Sequence, residues 1–139
     1  DFFRRRPSSK YEIFKSIETL CLSAGNSKKN LLTYVLCPGV LYGNGENALH
    51  PYFKKAWLQS PTHLPIYGDG KNLIPTIHVR DLAMYVNLIF EKKPETRYIY
   101  ATDFTKKPTQ RKLVLTISRG LGTGKFENVD KELAKLEPF

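Results

Sequence analysis

Residues 31–37 read LLTYVLC, an almost unbroken apolar run of strand length. Such a run is typical of a strand that is buried on both faces, as in a parallel sheet covered by helices. Pro38 and Gly39 follow at once and end the strand. The apolar run YIYA at residues 98–101 has the same character. We therefore predict an α/β fold in which these two strands are neighbours in a mostly parallel sheet, with a helix at residues 82–91 as the crossover between them.

Helical patterns occupy four segments of the chain. Apolar side chains recur every three or four residues in the first segment, and Gly25 follows it as a terminator. The third segment has so few polar positions that we expect it to be well packed, and the aromatic side chain of Trp57 in the second is expected in the core. The predicted helices cover residues 11–24, 48–58, 82–91 and about 108–118, the last capped by Thr105.

Two further extended stretches, residues 64–67 and 73–79, lie on either side of the turn Gly68-Asp69-Gly70. Pro75 cannot donate a backbone hydrogen bond, which favours an edge position for the second stretch. We predict that the two stretches pair as a small ribbon. The last fifteen residues are predicted to form a loop and a short amphipathic tail.

The length of 139 residues and a hydrophobic content of 41% are typical of one domain. No apolar run is long enough to span a membrane, and no signal-peptide pattern opens the chain. Because the first residue is Asp1 and not an initiating methionine, we expect the chain to be a fragment. Cys21 and Cys37 both fall in regular elements, so we expect small buried hydrophobes in a reducing compartment, with a disulfide as the minor alternative.

The formal net charge of +9 favours acidic partners in general. Nucleic acid is not expected, because the basic residues are scattered and do not alternate with aromatic ones as on a stacking surface. His50, His63 and His78 stand far apart with no cysteine beside them, so the sequence predicts no metal site.

Tyr11 and Lys15 form a Tyr-x-x-x-Lys pair, which places both side chains on one face of a helix. An ammonium group beside a phenol favours the phenolate, so such a tyrosine can act as acid or base in hydride-transfer chemistry. The same spacing also arises on many solvated helix faces. Both interpretations stay open on the spacing alone.

The order of the motifs along the chain strengthens the catalytic interpretation of Tyr11 and Lys15. After the Tyr-x-x-x-Lys helix come the buried strand, the loop PGVLYG, the segment PIYGDG, the segment IHVRDLA at the start of a helix, and the strand YIY. Over residues 11–101 this order resembles the second half of extended short-chain dehydrogenases of the sugar epimerase and dehydratase type. The resemblance implies that Tyr11 is the catalytic acid or base, with Lys15 as its partner. It implies a cofactor-binding role for four residues, Lys15, Pro38, Gly39 and Val40.

The sequence departs from that family at two positions. Cys37 stands where such enzymes commonly carry an arginine, and Ile74 stands where an arginine that grips substrate phosphate is expected. Isoleucine cannot hold a phosphate. The glycine-rich phosphate loop and the catalytic serine or threonine of the family are not in the chain. We therefore expect residues 1–139 to be the C-terminal half of a Rossmann-like domain whose nucleotide-binding half lies upstream.

Two strings, HPYFKKAWL at residues 50–58 and LPIYGDGKNLIPTIHV at residues 64–79, indicate a narrower family. They resemble a family of axonemal proteins in which a dehydrogenase-like domain precedes an adenylate kinase domain. That resemblance implies a kinase domain downstream of this chain. The glycine-rich run at residues 120–125 is not its phosphate loop, because the spacing is short by one residue and Phe126 replaces the serine or threonine that holds magnesium.

Three functions remain open at this stage. The first is a non-catalytic structural or assembly domain of the ciliary or flagellar axoneme, in the cytoplasm, bound to other axonemal proteins and not to membrane or nucleic acid. The second is an NAD(P)-dependent enzyme acting on a nucleotide sugar or a similar substrate. The third is a regulatory module that binds a nucleotide without chemistry. We expect no cofactor in this chain itself, whereas the longer protein can hold NAD(P) if the upstream half is present.

Overall fold

The computed structural model describes residues 4–130 and 132. Contacts divide them into two compact units. The first unit comprises residues 4–37 and Ala83–Ala101, and the second comprises Pro38–Leu82 with residues 102–130 and 132. In chain order the strands are β1 Val35–Pro38, β2 Val40–Tyr42, β3 Leu64–Tyr67, β4 Thr76–His78, β5 Tyr98–Ala101 and β6 Phe126–Val129; the α-helices are α1 Glu12–Ser27, α2 His50–Leu58, α3 Val79–Lys92 and α4 Gln110–Leu121.

The first unit contains the two buried runs that the sequence singles out. Strands β1 and β5 are hydrogen-bonded neighbours, as predicted. The Val35 N–H donates to the Arg97 carbonyl at 2.8 Å at the start of this pairing. Strand β1 is shorter than predicted, because residues 31–34 are irregular. There the Thr33 hydroxyl donates to the Cys21 carbonyl at 2.8 Å, which ties the segment to α1.

Helix α1 begins one residue later than its sequence pattern predicts. The Tyr11 N–H donates to the Ser8 carbonyl at 2.8 Å, so Tyr11 closes a 3₁₀ turn, Ser9–Tyr11. The apolar side chains along α1, such as Leu20 at 71% exposure, stay open to solvent. Helix α1 therefore has an apolar face that the described elements leave largely exposed.

The prediction that residues 82–91 form a well-packed helix is wrong in its packing. Helix α3 exists but contains no buried residue. Phe90 is 74% exposed and Met84 is 59% exposed. Apolar side chains are spread around most of α3, and the described residues cover only some of them.

The second unit holds two parallel strand pairs. Strand β2 pairs with β4, with Val40 opposite Thr76. Strand β3 pairs with β6, with Leu64 opposite Phe126. The fold class is thereby confirmed as α/β with parallel pairing.

The predicted ribbon between residues 64–67 and 73–79 is wrong. Each stretch forms its hydrogen bonds with a different partner strand, β6 and β2 respectively. Strand β2 lies in a segment that the sequence pattern treats as a loop, and β6 lies in the last fifteen residues, predicted as loop and tail. The β3–β6 pairing continues past the strands, where the Gly68 N–H donates to the Val129 carbonyl at 2.7 Å. The predicted amphipathic tail lies mostly outside the described residues.

Helices α2 and α4 cover strand β3 and form the core of the second unit. Helix α4 is capped by Thr109 and not by Thr105, because the Thr109 hydroxyl accepts from the Lys112 N–H at 3.3 Å. Trp57, expected in this core, is 72% exposed. The buried cluster consists of Tyr52, Ala56, Leu64, Ile66, Val114 and Ile117.

None of the helices in the part of the chain that the structure describes is both long and apolar enough to cross a membrane.

Replacing Ile66 by Ala should lower the free energy of unfolding by roughly 2–5 kcal/mol, because the side chain is 0% exposed and its loss leaves a cavity. Trp57→Ala should change it by less than about 1 kcal/mol, because that ring is already in solvent. Urea unfolding of the two variants and the parent measures both values. A cost for Trp57→Ala as large as that for Ile66→Ala would contradict this core.

Candidate functional site

Tyr11 and Lys15 lie at the start of α1, where the sequence places them. The Lys15 ammonium donates to the Arg5 carbonyl at 3.0 Å. The cation over the Tyr11 ring is that of Lys10, 5.5 Å from the ring centroid. Tyr11 is 51% exposed and also contacts the Phe14 ring. Each of the two predicted catalytic side chains thus has its main polar or ring contact with a residue other than its expected partner.

Cys37, at the first departure from the dehydrogenase pattern, belongs to a polar cluster in the first unit. Its thiol donates to the Tyr98 hydroxyl at 2.8 Å. The Tyr98 hydroxyl donates to Glu18 at 3.2 Å and accepts from Arg5 at 2.8 Å, and Arg5 also pairs with Glu18. Burial, followed by the hydrogen bond with Cys37, raises the pKa of the Tyr98 phenol. In place of the arginine expected from the dehydrogenase pattern, the structure therefore has Cys37 hydrogen-bonded to a neutral Tyr98.

Both cysteines are free in the structure. They are half-buried, so the expectation of fully buried small hydrophobes holds only in part. The Cys21 thiol lies 3.9 Å from the Tyr34 carbonyl. Each thiol is thus held by a local contact and not by a disulfide.

The loop predicted to bind the cofactor, Pro38, Gly39 and Val40, packs against Pro75. A Cβ atom on Gly39 would lie 2.6 Å from the Pro75 carbonyl oxygen, so only glycine allows this approach. The Val40 N–H donates to the same carbonyl at 2.8 Å. The Val40 N–H and the Pro75 carbonyl are therefore both used in strand pairing.

A cavity of about 510 Å³ lies beside this loop. No lining side chain carries a charge, so the described residues around it do not fit a phosphate group. Ile74, the second departure from the family pattern, is one of them, and its N–H donates to the Pro108 carbonyl at 2.7 Å. The lining residues are Pro38, Gly39, Val40, Asn72, Leu73, Ile74 and Pro75.

Tyr42 and His78 meet at the carboxyl ends of β2 and β4, the edge of a parallel sheet where ligands commonly bind. The two rings form an edge-to-face contact with centroids 5.2 Å apart. Nδ1 of His78 accepts from the Arg80 N–H at 3.1 Å, so in the neutral ring the proton is on Nε2. A Cβ atom on Gly43 would lie 2.1 Å from Nε2, so the Gly43 backbone covers that nitrogen.

Thr76 and Asp103 form a second polar contact in the same unit. The Thr76 hydroxyl donates to Asp103 at 2.6 Å, and the Thr105 N–H donates to the other carboxylate oxygen at 2.9 Å. Partial burial disfavours the charged form of Asp103, but these hydrogen bonds outweigh it and hold the pKa of the carboxyl below its ordinary value. Partial burial, helped by the charges of Asp103 and Asp81, raises the pKa of the Tyr42 phenol.

An apolar cavity of about 420 Å³ opens beside these side chains, between α2, α4 and the β2–β4 pair. The hydroxyl groups of Thr76 and Thr116 both donate to protein oxygens, to Asp103 and to the Lys112 carbonyl. Most of the lining is therefore apolar surface. The lining residues are Tyr42, Leu49, Phe53, Thr76, Leu113, Thr116, Ile117, Gly120 and Leu121.

Sequence reasoning missed this arrangement. The strings PGVLYG and IHV contain Tyr42 and His78, but their parallel pairing depends on β2, which is only three residues long. Among the described residues, no group of three or more histidine, cysteine, aspartate or glutamate side chains is placed to hold a metal ion.

Solved structures give the class of fold. The chain superposes on the dTDP-glucose 4,6-dehydratase from Bacillus anthracis, solved with NAD, with a TM-score of 0.68 at 20% identity, covering 91% of this chain and 41% of the other. It also matches Pal from Bacillus thuringiensis with a TM-score of 0.66 at 22% identity, covering 95% of this chain and 43% of Pal. The chain therefore shares its fold with these two proteins and matches less than half the length of each.

Sequence comparison gives the particular relative. The chain is 38% identical to mouse adenylate kinase 7 over 136 residues, which is 98% of this chain and 22% of the mouse protein. It is 38% identical to adenylate kinase 7 of Macaca fascicularis over 119 residues, which is 86% of this chain and 22% of that protein. The predicted resemblance is therefore confirmed as a likeness to adenylate kinase 7, although the chain spans only about a fifth of the length of these curated relatives. No protein-family model matches the chain.

The hydrogen bonds to Asp103 predict a pH dependence of stability. Because its pKa is depressed on folding, the carboxylate stabilises the fold above the ordinary aspartate value of about 3.9, and this contribution is lost as the pH falls through the lower folded value. Asp103→Asn should remove it. The difference in unfolding free energy between parent and variant, measured by urea unfolding from about pH 6 to pH 3, should shrink as the pH falls.

A suitable control is Glu46→Gln, which changes an exposed carboxylate outside this network and should preserve the pH-dependent loss. A difference between parent and Asp103→Asn that stays constant across the whole range would contradict the role given to Asp103.

Proposed function

We propose that the chain is a non-catalytic assembly domain of an adenylate kinase 7-like protein of the ciliary or flagellar axoneme. The observation that carries this proposal is the contact of Lys15. Its ammonium group, which an enzyme would need for Tyr11 and the cofactor ribose, donates to the Arg5 carbonyl at 3.0 Å. A lysine held in this way has one of its three N–H donors engaged in local structure, which favours a structural role.

The two departures from the dehydrogenase pattern support the same function. Ile74 offers no cation for a substrate phosphate. Cys37 donates to the Tyr98 hydroxyl inside a closed polar cluster. Both positions have thus exchanged ligand contacts for structural ones.

The domain context is part of the proposal. The matched part of the solved dehydratase is 41% of its length, and the matched part of mouse adenylate kinase 7 is 22%. We propose that a nucleotide-binding half precedes this segment in the longer protein and that a kinase domain follows it. The exposed apolar faces of α1 and α3 support a preceding half, because apolar helix faces are normally buried against a sheet.

The second candidate is an NAD(P)-dependent enzyme acting on a nucleotide sugar or similar substrate. The intact Tyr11 and Lys15 pair favours it, with Tyr11 as acid or base. In that case Lys15, Pro38, Gly39 and Val40 would contact NAD(P) bound mainly by the preceding half. The assembly proposal requires no cofactor in this chain, and its partners are other axonemal proteins in the cytoplasm of the cilium or flagellum.

Replacing Tyr11 by Phe in the complete protein distinguishes the two candidates. An assembly domain should enter axonemes normally, because only one exposed hydroxyl is lost, and neither the parent nor the variant should oxidise or reduce NAD(P). An enzyme should lose roughly 10²-fold or more of its turnover while folding and location stay normal. Tyr100→Phe, at another exposed tyrosine, is the matched control.

The two measurements are the fraction of protein incorporated into axonemes and the rate of NAD(P)H turnover with nucleotide-sugar substrates. Turnover in the parent that disappears with Tyr11→Phe but persists with Tyr100→Phe would overturn the assembly proposal.

A further inference from the structure

The apolar cavity of about 420 Å³ has the size of a site for a large side chain or small molecule. Helix α4 contributes one stripe of its surface, with Leu113, Ile117 and Leu121 spaced at four residues. Helix α2 contributes Leu49 at its N-terminal boundary and Phe53 one turn later. A cavity with such walls favours an apolar occupant, because a polar one would lose hydration without finding partners.

Exposed apolar side chains lie on the two helices that line this cavity. Trp57 follows Phe53 by four residues on α2, so the two side chains share a helix face, and Trp57 is 72% exposed. Leu121, on the wall of the cavity, is 41% exposed. Helices α2 and α4 are close here, since a Cβ atom on Gly122 would lie 3.0 Å from the Ala56 carbonyl oxygen. An exposed tryptophan on a helix that lines an open apolar cavity is typical of a protein-binding surface.

The two helices that line the cavity carry charge of one sign, whereas the charges of Asp81 and Asp103 act on Tyr42 in the wall formed by the β2–β4 pair. Helices α2 and α4 contain no aspartate or glutamate. They carry exposed cations at Lys54, Lys112 and Arg119. The charge of Lys112 acts on Asp103, whose carboxylate accepts hydrogen bonds from Thr76 and Thr105. This surface complements an acidic partner.

We propose that the face formed by α2 and α4 binds an acidic protein segment that inserts one large aromatic side chain into the cavity. This inference rests on the proposed assembly function and names the chemistry of its partner. The apolar cavity supplies most of the affinity by burying the aromatic anchor, and the cations around it orient the acidic flanks. The proposal is independent of whether a dinucleotide binds elsewhere in the longer protein.

Gly120 provides a direct way to close the cavity. It lines the cavity, and a Cβ atom added there would meet no atom within 4 Å. Its backbone is helical, so a side chain is tolerated. Gly120→Phe should fill the cavity without disturbing the core, and Gly120→Ala should leave it open. Both variants should keep or slightly increase stability, because glycine is a poor helix residue.

The experiment uses the complete protein and a fluorescein-labelled peptide in which one tryptophan is flanked by four glutamates on each side. Fluorescence anisotropy measures its Kd. Gly120→Phe should raise the Kd by about tenfold or more, and Gly120→Ala should change it by less than about twofold. Replacing the peptide tryptophan by alanine should weaken binding to the parent as much as Gly120→Phe does.

Charge is tested separately. Lys54→Glu should raise the Kd by about threefold or more and weaken its dependence on salt, whereas Lys29→Glu, at an exposed position on the other unit, should not. Absence of saturable binding to the parent, equal binding of the tryptophan and alanine peptides, or an unchanged Kd with Gly120→Phe would each overturn the proposal.

These outcomes are distinct from a failure of the assembly function itself. Normal incorporation into axonemes without peptide binding would reject this surface and leave the assembly function standing. NAD(P)H turnover that depends on Tyr11, together with peptide binding that depends on Gly120, would reject the assembly function and keep the surface.

Discussion

The close approach of Gly39 to the Pro75 carbonyl is the contact on which the pairing of β2 with β4 depends. A Cβ atom at Gly39 would come within 2.6 Å of that oxygen, so glycine is required for β2 to pair with β4. The pairing then places Tyr42 opposite His78 and sets Thr76 beside Asp103. Tyr42 and Thr76 in turn form one wall of the apolar cavity. A single backbone contact thus connects the loop, the polar contacts at the sheet edge and the proposed binding surface.

The same contact uses polar backbone groups of the loop that was predicted to bind a cofactor. The Val40 N–H and the Pro75 carbonyl are used in strand pairing, and the neighbouring Ile74 N–H is used by Pro108. With no charged side chain along the cavity beside the loop, a phosphate has no counter-charge there. The chain shares its fold with a solved dehydratase, and Lys15, Val40 and Ile74 take part in local hydrogen bonds. A shared fold does not by itself imply a shared function.

Much of the architecture could be predicted from local pattern. The runs at residues 31–37 and 98–101 were long and apolar enough to reveal neighbouring strands, and all four helices were foreseen within a few residues. Strands β2 and β6 could not be, since three or four residues without alternation carry no periodic signal and pair only through distant partners. The ribbon prediction failed for the same reason, because it assumed pairing between sequence neighbours. The exposure of Trp57 was also hidden, because one aromatic residue on a short helix does not reveal which face is covered.

The proposed binding surface could not be found from the sequence alone. Tyr42, Phe53 and Ile117 come from different elements, and only their convergence creates the cavity. The cations on α2 and α4 looked scattered along the chain because the two helices lie far apart in sequence. In the proposed surface, the cations of the two helices face one acidic partner and account for part of the net charge of +9.

Lysine reactivity in the native assembly tests this account most directly. In axonemes, Lys54 and Lys112 should be protected from acetylation relative to the free complete protein, because the acidic partner covers them. Lys28 and Lys29, on the first unit, should be labelled equally in both states. Labelling of Lys54 and Lys112 to the same extent in the free and the assembled protein would contradict the claim that this domain assembles through the face formed by α2 and α4.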